Sequence, residues 1–208
     1  FPHNVELVHL AIPMDKSIDD IVSTLARQLP GGEINLAGFS LGGYIASAFT
    51  LKYPERVRKL LLISNMSYSL PEAELKERSR TIDYLKTHGY SGVPTKRITA
   101  LLHPSKHNDQ TVINCIKEMD KSLGKATLIH QLTVTTQRKN LLVKLPKITV
   151  PVQFLIGDTD SLVKLNLIES ILKDSSLISL DVLNDTGHML PLEQPARCAE
   201  KMQAFFIE

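Results

Sequence analysis

A pentapeptide, G-F-S-L-G at positions 38–42, joins an apolar strand pattern at residues 33–37 to a helical pattern that follows it. A sharp turn from strand to helix holds the central serine in a strained backbone conformation. It also exposes the hydroxyl at the carboxyl end of the strand. This setting, rather than the five letters alone, predicts that Ser40 is a nucleophile.

The neighbours of Ser40 are expected to serve the same turn. Gly38 and Gly42 lie two residues to either side, and we expect that a Cβ at either position would collide across the turn. The backbone N–H of Leu41 lies at the start of the predicted helix, where it would point toward a negative charge developing on a substrate. Leu41 is therefore the predicted oxyanion donor.

Strand and helix patterns alternate along most of the chain. The strands are predicted at residues 5–12, 33–37, 57–63, 150–156 and 177–183. Such alternation favours an α/β fold, in which a parallel sheet is covered by helices.

One stretch departs from this alternation. Its sequence is more charged and carries helical patterns at residues 72–86, 110–123 and 126–138. It has too little continuous apolar sequence to build a core of its own. We predict a core formed by residues 1–65 and 146–208, with a helical insertion at residues 66–145.

A serine hydroxyl needs a general base, and the base needs an acid to orient it. Of the seven histidines, only His188 lies in a loop just beyond a predicted strand and after the candidate acids. Three carboxylates compete for the orienting role: Asp158, Asp160 and Asp185. Asp185 is close to His188 in sequence, but such a neighbour can simply cap a turn. Position alone does not separate Asp158 from Asp160.

Three stretches resemble the α/β-hydrolase superfamily, specifically its small cap-bearing, esterase-like members. They are G-F-S-L-G-G-Y at 38–44, G-D-T-D-S-L-V at 157–163 and G-H-M-L-P-L-E-Q-P at 187–195. The family's acid usually follows a glycine by three positions, which favours Asp160. Its G-H-x-x-x-x-E-x-P tail matches His188, Glu193 and Pro195. The resemblance covers essentially the whole chain and implies a mostly parallel sheet, with the insertion as a helical cap over the site.

The resemblance also implies a second oxyanion donor, in a loop after an early strand and next to a His-Gly pair. No such segment precedes Val5. We therefore expect one or more N-terminal strands of the functional protein to lie upstream of Phe1. Without the second donor, turnover is expected to fall by roughly 10²–10³.

Composition excludes several classes of partner. The net charge of +2 is small and the basic residues are dispersed, so neither nucleic acid nor a membrane surface is expected as a partner. Cys115 and Cys198 lie outside any C-x-x-C or Cys/His cluster, so no metal site is expected. With no signal peptide or membrane span recognisable, a cytoplasmic monomer or homodimer is expected.

The sequence thus predicts a serine hydrolase that cleaves a carboxylic ester or thioester of a small acyl substrate without a cofactor. Carbon–carbon bond, lactone and amide hydrolysis remain open, because the residues of the insertion do not reveal the substrate. The alternative from another class is a non-catalytic, receptor-like ligand binder on the same fold, since a fold does not guarantee an activity.

Overall fold

A computed structural model describes residues 5–207. Residues 1–4 and 208, which the predicted core ranges include, lie outside the described residues. The four strands are parallel and lie in chain order across the sheet: β1 (Ile34–Phe39), β2 (Val57–Ile63), β3 (Val152–Gly157) and β4 (Ile178–Leu183). The α-helices are α1 (Ile18–Gln28), α2 (Leu41–Lys52), α3 (Glu72–Thr87), α4 (Thr95–Thr99), α5 (Gln110–Thr136), α6 (Leu165–Leu172), α7 (Leu190–Glu193) and α8 (Pro195–Ile207). Short 3₁₀ turns lie at Pro54–Arg56, Pro104–Lys106 and Leu142–Lys147. The predicted α/β class is confirmed.

The centre of the sheet is buried on both faces, and β2 shows this through the two-residue period of a strand. Leu60 and Leu62 join a core with apolar side chains of α1, α2 and α6. Leu61 and Ile63 point to the other face and pack with α8. The carboxyl ends of all four strands therefore lie at one edge, between two helical layers, where α/β folds form their sites.

The prediction of a strand at residues 5–12 is wrong. These residues are irregular, and the side chains of Leu7 and Val8 are 69% and 46% exposed. A strand needs a neighbouring backbone to pair with, and among the described strands β1 pairs only with β2. An apolar pattern alone does not supply that partner.

The helical insertion contains α3, α4 and α5. The two helical patterns predicted at residues 110–123 and 126–138 both lie in or next to α5, which is broken at Gly124 with a φ of 73°. Apolar side chains from α4 and α5 form a cluster that includes Met189, the residue after His188. The insertion therefore shares its apolar packing with the core. None of the helices within residues 5–207 is long and apolar enough to cross a bilayer.

Candidate active site

The turn between β1 and α2 has the strained geometry predicted from the pentapeptide. Ser40 adopts φ 49° and ψ −117° between the last residue of β1 and the first of α2. A non-glycine residue in this region is destabilised by about 1–3 kcal/mol, so the surrounding structure must hold it. The Ser40 N–H donates to the carbonyl of Ile63 at 2.9 Å, which fixes the turn to the end of β2.

The two glycines of the pentapeptide differ, which corrects the expectation that both are required. A Cβ on Gly38 would lie 2.3 Å from the carbonyl oxygen of Gly42, whereas a Cβ on Gly42 would meet nothing within 4 Å. The backbone of Gly42, in the first turn of α2, lies directly against Gly38, whereas the Cβ position of Gly42 itself faces open space. Only Gly38 is sterically required.

We expect Gly38→Ala to destabilise the protein by at least about 1–3 kcal/mol, because backbone rather than a movable side chain occupies the space. Gly42→Ala is the matched control. It changes the free energy of unfolding by less than about 1 kcal/mol, within the range of helix propensities. Urea unfolding of the two variants measures both effects, and equal losses would contradict the steric assignment.

The structure brings the three predicted site residues together. Ser40 Oγ lies 2.9 Å from His188 Nε2, and His188 Nδ1 lies 3.0 and 2.9 Å from the two carboxylate oxygens of Asp160. The side chains of His188 and Asp160 are only 6% and 1% exposed. Because a carboxylate only accepts hydrogen bonds, the Nδ1 of a neutral ring carries the proton. Nε2 is then free to accept the hydrogen bond from Ser40.

The other two candidate carboxylates, Asp158 and Asp185, make contacts elsewhere in the loop. Asp158 accepts the N–H groups of Asp185 and Thr186 at 3.1 and 3.0 Å. Burial acts to raise the pKa of Asp158, but these backbone donors, the N–H of Thr159 and the nearby His103 together outweigh it and hold the pKa below its usual value. Asp185 lies in the loop with a φ of 56° and has an exposed side chain, 3.8 Å from His103. Of the three candidates, only Asp160 contacts His188.

The loop that carries His188 is anchored to the insertion. Glu193 is buried, and its Oε2 accepts the N–H of His103 at 2.7 Å and that of Gly187 at 3.1 Å. The His188 N–H donates to the carbonyl of Leu101 at 2.8 Å. Gly187 precedes His188 where the loop closely approaches the insertion. A Cβ there would lie 2.6 Å from the backbone nitrogen of His103.

We expect Glu193→Ala to lower the free energy of unfolding by about 2–6 kcal/mol, since it leaves two N–H groups without their acceptor at about 1–3 kcal/mol each. Glu193→Gln retains an acceptor oxygen and most of the stability. Urea midpoints of the two variants check this, and an alanine variant as stable as the glutamine variant would contradict the anchoring role.

Asn65 supports the turn of Ser40, and the sequence reasoning missed it. Its Nδ2 donates to the carbonyl of Ser40 at 2.8 Å, and its Oδ1 accepts the N–H of Ser67 at 2.6 Å. The available signal was position, because Asn65 closely follows β2 at the edge where the strand ends meet.

A cavity of about 190 Å³ opens beside Ser40, Leu41 and His188. Its remaining wall comes from the loop after β2, from α3 and α5, and from the segments that follow β3 and α5. It includes Arg78 and Arg138, which the sequence reasoning also missed. As the first residue of α2, Leu41 has a backbone N–H without an intrahelical acceptor. Within residues 5–207, no three His, Cys, Asp or Glu side chains are grouped so as to hold a metal ion.

Comparison with known proteins places the chain in a family. The model of the Ndr family matches residues 10–207. The chain belongs to the Ndr family. Two curated relatives match this Ndr-family chain over short segments. A pimeloyl-[acyl-carrier protein] methyl ester esterase of Shewanella woodyi is 43% identical over 53 residues, which is 26% of this chain and 20% of the relative. A 2-hydroxy-6-oxononadienedioate/2-hydroxy-6-oxononatrienedioate hydrolase of Escherichia coli is 49% identical over 43 residues, 21% of this chain and 15% of the relative.

Solved structures extend the likeness to nearly the whole Ndr-family chain. An esterase from Thermogutta terrifontis superimposes with a TM-score of 0.80 at 23% identity. The matched region covers 92% of this chain and 72% of the esterase chain. An enol-lactonase from Burkholderia xenovorans has a TM-score of 0.80 at 15% identity, and the matched region covers 93% of this chain and 74% of the lactonase chain. At these identities the likeness establishes the fold, and the predicted α/β-hydrolase fold is confirmed.

Proposed function

We propose that the protein hydrolyses a carboxylic ester or thioester through an acyl-enzyme on Ser40. The observation that carries the proposal is the hydrogen-bonded line from Asp160 through His188 to Ser40, which ends on a serine in a strained strand-to-helix turn. A nucleophile, a base and an orienting acid in this order form the arrangement that activates a serine for nucleophilic acyl transfer.

In the proposed reaction, Ser40 Oγ attacks the carbonyl carbon of the substrate while His188 Nε2 accepts the hydroxyl proton. The Leu41 N–H donates to the oxygen that becomes negative, and Asp160 stabilises the imidazolium. His188 then protonates the departing alcohol or thiol, which leaves the acyl group on Ser40. Water attacks this acyl-enzyme with His188 again as base, and Ser40 is regenerated.

The relatives support an ester as the class of substrate. The Shewanella woodyi protein is named as a methyl ester esterase and the Thermogutta terrifontis protein as an esterase. A serine hydroxyl also suits acyl transfer, whereas dehalogenase chemistry on this fold uses a carboxylate nucleophile. The matched segments span a fifth or less of the curated relatives, so the particular acyl and alcohol groups are a matter for experiment.

A panel of p-nitrophenyl esters and acyl thioesters of graded chain length tests the proposal directly. We expect turnover of several members, with kcat/KM varying along the series. The alternative of a non-catalytic ligand binder predicts saturable binding of panel members without release of product. Binding without turnover across the whole panel would contradict hydrolysis.

A further inference from the structure

The wall of the cavity beside Ser40 is positively charged. Apart from His188, its charged side chains are Glu74, Arg78 and Arg138. Two guanidinium groups therefore face one carboxylate, an excess of one positive charge in a small cavity of about 190 Å³. Such an excess in a partly enclosed space attracts an anion more strongly than it would in water.

Glu74 is already paired. Its Oε1 accepts from Arg78 Nε at 3.1 Å and from Arg78 Nη2 at 3.0 Å. Arg78 Nη1 donates to the hydroxyl of Thr135 at 2.8 Å. Glu74 and Arg78 thus largely neutralise each other, and Arg78 is held in place from two sides.

Arg138 has no such partner. None of the carboxylates within residues 5–207 forms a salt bridge with it, and its Nε is buried without an acceptor. Burial, together with the neighbouring Arg78 guanidinium, lowers the pKa of Arg138. A half-buried guanidinium next to a second cation is less favourable than one compensated by an anion.

Arg138 is held at a defined place relative to Ser40. Its guanidinium carbon lies 5.3 Å from the centre of the Tyr44 ring, a cation–π contact. The hydroxyl of Tyr44 donates to the carbonyl of Lys139 at 3.0 Å, which ties this segment to α2. Tyr44 lies one helical turn beyond Ser40, roughly 6 Å along the axis at 1.5 Å per residue.

We propose that Arg138 binds a carboxylate group of the substrate, so that the preferred ester carries a free carboxylate apart from the bond that is cleaved. A planar guanidinium matches a carboxylate through two parallel hydrogen bonds, which makes arginine better suited to this role than a point charge. This inference rests on the proposed ester hydrolysis and specifies its substrate class.

The test compares esters that differ only in the carboxylate. Monoethyl succinate, glutarate and adipate are paired with ethyl butyrate, valerate and hexanoate, and acid release is followed by titration at constant pH. A fourth pair, 3-acetoxypropionate and propyl acetate, places the carboxylate on the alcohol side. We expect kcat/KM for the carboxylated member of at least one pair to exceed that of its neutral partner by about 10- to 100-fold, the range of a charge-assisted hydrogen bond.

In Arg138→Gln, the ratio of kcat/KM for the carboxylated ester to kcat/KM for its neutral partner is expected to fall toward one. Arg80→Gln is the matched control, because Arg80 is an exposed arginine on α3 that does not line the cavity, and it leaves the ratio unchanged. If Arg138→Gln does not fold by circular dichroism, Glu74→Gln serves instead. Removal of the one carboxylate on the wall is expected to raise the ratio. A ratio unchanged in Arg138→Gln, or lowered in Glu74→Gln, overturns the subsite while hydrolysis of the neutral esters leaves the proposed function intact.

Binding measurements also distinguish a failure of the carboxylate subsite from a failure of the proposed hydrolysis. Calorimetry of Ser40→Ala with monoethyl adipate and with ethyl hexanoate measures the subsite without turnover. Tighter binding of the carboxylated ester that is lost in Ser40→Ala/Arg138→Gln supports the subsite even if no ester is hydrolysed. Equal binding of the two esters overturns it.

Discussion

Replacing Ser40 with alanine is expected to lower kcat for ester hydrolysis by about 10⁶-fold, the magnitude seen when the nucleophile of a serine hydrolase is removed. Without Oγ no acyl-enzyme forms, and neither His188 nor the Leu41 N–H has an attacking group to assist. Rates with the best ester of the panel, measured against the uncatalysed background, check the size of the loss. Circular dichroism and urea unfolding establish that the variant is folded.

Ser64 supplies the matched control. It shares the φ of 49° and also lines the cavity, but its buried hydroxyl has no hydrogen-bond partner among the described residues. We expect Ser64→Ala to retain kcat within about tenfold, since removing an unsatisfied hydroxyl is close to neutral. Similar losses in the two variants would show that the effect comes from the strained backbone or the cavity rather than from the Ser40 nucleophile.

The second largest effect is expected at Asp160, where Asp160→Asn lowers kcat by about 10⁴-fold. The amide of asparagine can donate to His188 Nδ1, which moves the ring proton to Nε2. In that tautomer Nε2 no longer accepts the proton of Ser40. Steady-state rates on the same ester measure the loss, and KM is expected to change much less than kcat, since Asp160 does not line the cavity.

Asp158→Asn separates the two neighbouring carboxylates. Asp158 accepts backbone N–H groups from the loop but does not contact His188, so its replacement acts on loop stability rather than on the ring proton. We expect a loss in kcat of less than about tenfold. A larger loss at position 158 than at position 160 would transfer the orienting role to Asp158.

The site residues that the sequence could place depend on local geometry. A strand-to-helix turn presents Ser40 from its own few residues, and the loop after the last strand presents His188. Both were found because parallel strands end at a common edge. Residues 158 and 160 follow the same strand two positions apart, so the sequence pattern left them open. The choice of Asp160 came from the family resemblance, and the structure places Asp160, not Asp158, on His188.

What the sequence could not predict depends on contacts between distant segments. The strand expected at residues 5–12 required a partner strand, which its own letters do not supply. Whether a Cβ fits at Gly42 depends on the direction in which the first turn of α2 leaves the turn at Ser40. Arg138 reaches the cavity only because the segment after α5 lies against α2. The local sequence around Arg138 therefore does not predict a positively charged cavity wall.

Covalent labelling with a fluorophosphonate, followed by intact mass and peptide mapping, examines the proposed acyl-transfer chemistry at its first step. The reagent reacts with a serine only where a base activates the hydroxyl and donors stabilise the oxyanion. We expect a single adduct on the peptide that contains Ser40, absent from Ser40→Ala and strongly slowed in Asp160→Asn. A folded wild-type protein that forms no adduct, or one that is labelled elsewhere while Ser40 stays unmodified, would contradict Ser40 as the nucleophile.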